Sequence, residues 1–173
     1  KPINNLIYPV IISSNKGIAT EFILMIKPIR LGHLVLRVRN TIRSEEFYRN
    51  ILGLAVKSRL ENGMVFFRSN EGIDHDLALV QVGEDAPSPD PTAVGLYHFA
   101  YELSSFKELE EAYQIMQENR VRIAGFGDHG DTKSLYILDP DGNEIELYTL
   151  APDQEHIALK DLFADIRTET AET

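Results

Sequence analysis

Cysteine is absent from the 173 residues, and that absence removes a disulfide frame, a thiolate zinc site and a cysteine nucleophile together. A transition-metal site in this chain must draw on His, Asp and Glu. Basic residues are in short supply: 17 Lys and Arg stand against 27 Asp and Glu, a formal net charge of -10, with no basic cluster to interrupt the excess. The electrostatic footprint of a nucleic-acid binder is missing, so a small molecule or a protein is the expected partner. Long apolar runs are missing as well. The longest, around residues 6–12 and 22–26, fall far short of the roughly 18 residues that span a bilayer, so no membrane partner is expected and a cytoplasmic location is the default.

What the chain does have is 43% hydrophobic residues, enough for one domain with a proper core and short for two. The first 24 residues show no sustained period, and residues 1–28 are expected to form an N-terminal extension. Past residue 30 alternation takes over: Leu34, Leu36 and Val38 fall on one face, His33, Val35 and Arg37 on the other, as in a half-buried strand. A helix is predicted over residues 44–52, with Gly53 just past its end, followed by strands over 54–60, 64–68 and 75–82. After a Pro-rich connector, "GEDAPSPDPTAVG", the same order begins again. A strand over 96–103 leads through a Ser105/Glu108 capping box into a helix bearing Leu109, Ala112, Tyr113 and Met116, and three strands follow near 121–126, 133–138 and 144–150. Aligning the halves sets His33 opposite His98, an internal repeat of two modules, residues 29–83 and 95–150, within a single domain over 29–152. A short helix over 157–166 and a polar tail complete residues 153–173.

Helices covering the greasy faces would leave both histidines on the concave side of the sheet. In the last strand Ile145 and Leu147 take the helix side, which sends Glu146 inward with them. Two imidazoles and one carboxylate leave several coordination positions open, an arrangement suited to Fe(II) oxygen chemistry and also to Mn(II). In the fourth strand of the first module the inward slots read as His75, Leu77, Leu79 and Gln81, with no carboxylate among them. The Asp139-Pro140-Asp141-Gly142 stretch reads as a simple tight turn.

Over residues 29–150 this repeat resembles the vicinal oxygen chelate superfamily, which includes glyoxalases, fosfomycin-resistance proteins, epimerases and type I extradiol ring-cleavage dioxygenases. The resemblance implies an α+β fold in which two βαβββ modules form one half-open mixed β-barrel with helices outside. A longer motif selects among the members. Gly127-x-His129, then Leu135-Tyr136, then Asp139-Pro140-x-Gly142 and Glu146 resemble the signature of the extradiol dioxygenases, and "DHDLALV", which contains His75, resembles the place of their distal acid-base histidine. The implied type is the compact, single-domain catechol 2,3-dioxygenase or 2,3-dihydroxybiphenyl dioxygenase. By that resemblance His33, His98 and Glu146 bind Fe(II), with Mn(II) as a second possibility; His75 manages protons; and His129 and Tyr136 meet the oxygens of a catechol. The implied partners are a catechol and O2, in a homo-oligomeric enzyme of aromatic-compound degradation. Other metal-dependent members of the superfamily, and a metal-free module that sequesters an aromatic ligand, are the alternatives.

Overall fold

The computed structural model describes residues 7–14, 17–24 and 26–150. The helix expected over 157–166, the tail and His156 lie outside the described residues. The chain divides into two units, Lys1–Gly32 and His33–Thr173. The first contains a two-stranded antiparallel sheet, β1 (Ile7–Ser14) and β2 (Gly17–Leu24), paired from Ile7 with Leu24 to Ser14 with Gly17. The sequence pattern had given no strand there.

The second unit repeats one order twice. β3 (Leu34–Val38), α1 (Thr41–Asn50), β4 (Ala55–Arg59), β5 (Val65–Arg68) and β6 (Leu77–Gln81) form the first module. β7 (His98–Glu102), α2 (Phe106–Glu118), β8 (Ile123–Asp128), β9 (Thr132–Leu138) and β10 (Glu144–Leu150) form the second. Each makes a four-stranded mixed sheet of the same design: the orders are β3-β6-β5-β4 and β7-β10-β9-β8, the first strand running parallel to the last and the others antiparallel. This is the expected α+β pair of βαβββ modules. Among the described residues no strand pair joins the two sheets.

Local chemistry starts both helices. Asn40 caps α1 by accepting from the N–H groups of Ile42 and Arg43, which begins the helix a few residues earlier than the sequence pattern placed it. Ser105 caps α2, accepting from the Glu108 N–H at 3.3 Å, while the Glu108 carboxylate takes the N–H of Ser104 at 2.9 Å. Each helix lays its apolar side on its own sheet. Leu36, Val38, Phe47, Tyr48, Val65, Phe67, Leu77 and Leu79 from the first module share one core with Leu109, Met116, Leu135, Ile137, Ile145 and Leu147 from the second.

Register corrects the fourth strand of the first module. Leu34 pairs with Leu77 and Leu36 with Leu79, so Leu77 and Leu79 point to the core and are fully buried. The open-face positions of β6 are Ala78 and Val80, one residue out of step with the expected slots. Gln81 belongs to the helix side, where its side-chain oxygen accepts from the N–H and hydroxyl of Thr41 and helps to hold the start of α1.

The Asp139–Asp141 turn is more than a turn. Asp139, 4% exposed, accepts from the Tyr48 hydroxyl at 2.8 Å, from the Asn143 side-chain amide at 2.8 Å and from the N–H groups of Asp141 and Asn143. Asp141 faces Arg39 at 3.1 Å, Arg43 at 3.0 Å and the Ser44 hydroxyl at 3.2 Å. These carboxylates tie α1 and the residue before its cap to the start of β10. Burial and the neighbouring Asp139 push the Tyr48 phenol well above its ordinary value, so it donates over the whole physiological range.

Candidate active site

Strand alternation and one hairpin build the cleft on the open face of the second sheet. β10 alternates buried Ile145, Leu147 and Thr149 with Glu144, Glu146 and Tyr148, and its parallel neighbour β7 presents His98, Ala100 and Glu102 on the same side. On the other flank Tyr136 is the register partner of Glu146 and Ser134 that of Tyr148. The β8–β9 hairpin then brings His129 over Tyr136, with Gly130 in the left-handed region at φ 81 and its N–H donating to Asp128.

The result is a continuous polar network. His98 Nε2 lies 3.2 Å from Glu146 Oε2. Glu146 Oε1 accepts from the Ser134 hydroxyl at 2.6 Å and from the Tyr136 hydroxyl at 3.1 Å. His129 Nε2 lies 3.2 Å from the same phenol oxygen. A phenol has one proton, so with Tyr136 donating to Glu146 its oxygen accepts from a protonated His129 Nε2. Desolvation first, then the hydrogen bond and charge of Glu146, raise the Tyr136 phenol above its ordinary value and keep it a donor. Gly127 makes the approach possible: a Cβ there would stand 2.8 Å from His129 Nε2 and 3.1 Å from the Tyr136 ring. His98, Tyr136, His129, Gly127 and Glu144 line a cleft of about 280 Å³. A larger groove, about 760 Å³, runs along β3 beside Arg37, Val80 and the Pro-rich connector and holds none of the six predicted site residues.

Four of those six, His98, Glu146, Tyr136 and His129, are thus brought together. The other two are not among them. His33, just before β3, faces His75 with ring centroids 4.6 Å apart, and His75 meets the edge of Phe66 and holds Asp74 through Nδ1 at 2.8 Å. Among the described residues no group of three or more His, Asp or Glu side chains is placed to hold a metal ion. The chemistry of His98 and Glu146 suits a divalent cation of Fe(II) or Mn(II) type, and the expected third ligand, His33, is not grouped with them.

Two participants were missed by sequence reasoning. Ser134 shares the open-face parity of Tyr136 and braces the Glu146 carboxylate. Glu144 shares the parity of Glu146 and stands 3.6 Å from His98 Nδ1, a buried atom with no hydrogen-bond partner. A carboxylate behind a ligating imidazole orients the ring, and strand parity was the signal that could have found both. Arg37 and Glu102 lie on different sheets, and Glu102 accepts from the Tyr148 hydroxyl at 3.3 Å.

Residues 30–147 match the Glyoxalase/Bleomycin resistance protein/Dioxygenase superfamily. The chain is 35% identical over 126 residues to a catechol-2,3-dioxygenase of Bacillus subtilis (strain 168), an alignment covering 70% of this chain and 42% of that protein. It is 33% identical over 128 residues to the metallothiol transferase FosB of Staphylococcus haemolyticus, covering 72% of this chain and 85% of that one. The dioxygenases it matches are longer proteins, of which it spans 36 to 62%. In fold it is similar to a glyoxalase/dioxygenase from Nostoc punctiforme, with a TM-score of 0.63 at 24% identity over 74% of this chain and 97% of that one.

Proposed function

Because the chain belongs to the Glyoxalase/Bleomycin resistance protein/Dioxygenase superfamily, whose members share a fold without sharing a reaction, we propose from its own polar network that it is an extradiol dioxygenase. The reaction is Fe(II)-dependent cleavage of a catecholic ring by O2, giving a ring-opened 2-hydroxy-oxo-dienoate in aromatic-compound degradation. The observation that supports this reading is the line His129, Tyr136, Glu146, His98 in one cleft, which sets two hydrogen-bonding groups beside two metal-type ligands. A fosfomycin-resistance transferase reading gives no reason for His75 and Tyr136 together.

An Fe(II) ion held by His98, Glu146 and His33 would supply a site for O2 and acidify a catechol hydroxyl. The rest is done by protein groups. Tyr136 and His129 would meet the two vicinal substrate oxygens by exchanging the bonds they now make to Glu146 and to each other. Ser134 holds Glu146 Oε1 and so fixes the carboxylate on which Tyr136 rests. Asp74, itself held by Lys57 at 3.2 Å, orients His75 through Nδ1 and leaves Nε2 to give or take a proton.

The test is a substrate panel. Anaerobic, Fe(II)-loaded protein is mixed with air and a set of catechols and watched for the yellow ring-opened product. Parallel samples receive fosfomycin with a thiol, or a hemithioacetal. Turnover of a catechol and of neither rival supports the reading; turnover of a rival alone replaces it, and catechol binding without turnover makes this a sequestering module.

A further inference from the structure

Cross-strand rows order the open face of the second sheet. Ala100, Glu146, Tyr136 and Gly125 stand side by side from β7 to β8, and the next row holds Glu102, Tyr148, Ser134 and Gly127. β8 therefore turns two glycines to the face of the polar network. They differ in what surrounds them. A Cβ on Gly127 would collide with His129 and Tyr136, whereas a Cβ on Gly125 meets nothing within 4 Å. Nor does the backbone require glycine there, since Gly125 is not among the glycines of positive φ. The missing side chain leaves free space beside Tyr136, in the wall of the cleft of about 280 Å³. Small-molecule pockets run from roughly 300 to 1,000 Å³, so this one suits a single ring with a compact substituent.

The carboxylates of this face stand without cations. Glu144 shares a row with His98 and Leu138, and it joins Glu102 and Glu146 on the open side. Among the described residues no Lys or Arg lines the cleft. Lys133 is turned to the buried side of β9, where it pairs with Asp128, and Arg122, just before β8, carries its guanidinium toward Gly142 in the turn. Glu146 is held by Ser134, Tyr136 and His98, and Glu102 by Tyr148. Glu144 is held less firmly. It lines the cleft with a side chain 22% exposed and faces His98 Nδ1 at 3.6 Å, too far for a hydrogen bond. A second carboxylate brought beside it would meet a like charge partly shielded from water.

We propose that the substrate is a catechol with an uncharged ring substituent: Gly125 makes room for that substituent, and Glu144 turns away one that ends in a carboxylate. The inference rests on the catechol reading above and narrows it. Because Gly125 is the register partner of Tyr136, a group on the ring finds its free space next to the phenol that meets the substrate oxygens. Charge then decides which group enters. Like charges about 6 Å apart at an effective dielectric near 20 weaken binding by roughly 100-fold.

Anaerobic titration tests it, since binding is then read without turnover. Fe(II)-loaded protein is titrated by calorimetry with catechol, with 3- and 4-propylcatechol, and with 2,3- and 3,4-dihydroxyphenylacetate, and the tighter isomer of each pair is compared. In wild type the propyl compound should bind at least as tightly as catechol, and the acetate about 10- to 100-fold more weakly than the propyl compound. Gly125→Val should lower the preference for propylcatechol over catechol about 10-fold, because it fills the free space. Gly125→Ala should do so by a smaller factor, and it replaces the valine variant should that one not fold. Glu144→Gln should narrow the gap between the propyl and acetate compounds, and so should Leu138→Lys, which sets a cation beside Glu144 on the same face. Iron is measured in every variant, and Leu138→Lys carries the charge test if Glu144→Gln loses its metal. An acetate that binds wild type as tightly as the propyl compound, a filled Gly125 position with wild-type preference, or a gap that neither charge variant narrows overturns the inference. Wild-type protein that holds Fe(II) and binds no catechol overturns the catechol reading itself, which separates the two failures.

Discussion

The two modules share one strand-helix order and divide the work between them. The second has a compact polar cleft in which Glu146 is held by Ser134 and Tyr136 and faced by His98. The first carries a shorter chain, from Lys57 through Asp74 to His75. Its helix instead commits Arg39, Arg43, Ser44 and Tyr48 to the buried carboxylates of the Asp139–Asp141 turn. One copy of the repeat thus carries the polar network, and the other braces the strand on which that network stands while keeping a histidine pair at the end of its own sheet. A duplicated fold gives two equivalent positions, and what each becomes depends on the side chains across the sheet from it.

The comparison breaks most sharply at the ligands. His98→Ala and Glu146→Ala should each abolish Fe(II) binding, and His33→Ala should do the same even though it lies on the other sheet, because a three-ligand site rarely survives the loss of one. Metal analysis of the purified variants checks this, and full retention in the His33 variant would assign the centre to the second module alone.

Next comes His75, the proposed acid-base residue. His75→Gln should keep iron and catechol binding close to wild type while slowing ring cleavage by roughly 10²- to 10⁴-fold, the span for loss of positioned acid-base catalysis. Iron loss in this variant would place His75 among the ligands.

The bracing role is read in stability. Asp141→Ala leaves Arg39 and Arg43 facing each other without their shared carboxylate and should cost about 2 to 4 kcal/mol, below the fully buried case because both guanidinium groups reach solvent. Urea unfolding measures it. Tyr48→Phe should cost about 1 to 2 kcal/mol at neutral pH, since Asp139 keeps three other donors. The raised phenol fixes the sign with pH: the contribution of neutral Tyr48 is fully present below about pH 10, the unfolded value, and is lost as pH rises through the higher folded value. Wild type should therefore lose its margin over Tyr48→Phe only in strong alkali.

The smallest effects sharpen the cleft. Gly127→Ala should displace the His129 ring and weaken substrate binding with little change in stability, because the nearest atom is the end of a flexible side chain. Tyr136→Phe deletes the phenol's bonds to Glu146 and from His129, each worth on the order of 0.5 to 1.5 kcal/mol, or up to about 3 where the partner is ionised. Steady-state kinetics of the two variants should rank them below His75→Gln.

Much of this was legible in the sequence because it is local or periodic. β10 lies over the residues that alternation assigned to it, and the Ser105/Glu108 signal started α2 where it should. Strand parity sent His98 and Glu146 to one face, and Tyr136 was named through the motif alone. Parity also failed once: the strand containing His75 was begun too early, and a one-residue slip turned Leu77, Leu79 and Gln81 to the wrong side. The carboxylate brace was hidden for a different reason. Asp139 and Asp141 look like turn residues at short range, and their partners Arg39 to Tyr48 lie far upstream, so only the packed structure reveals why the turn is buried.

The central claim, ring cleavage by O2 at this site, is tested most directly by isotope. Fe(II)-loaded protein is given a catechol that it turns over under ¹⁸O2, and the ring-opened product is weighed by mass spectrometry. Incorporation of both labelled atoms into each product molecule is the predicted result; catechol returned intact, or a product with no label, would contradict it.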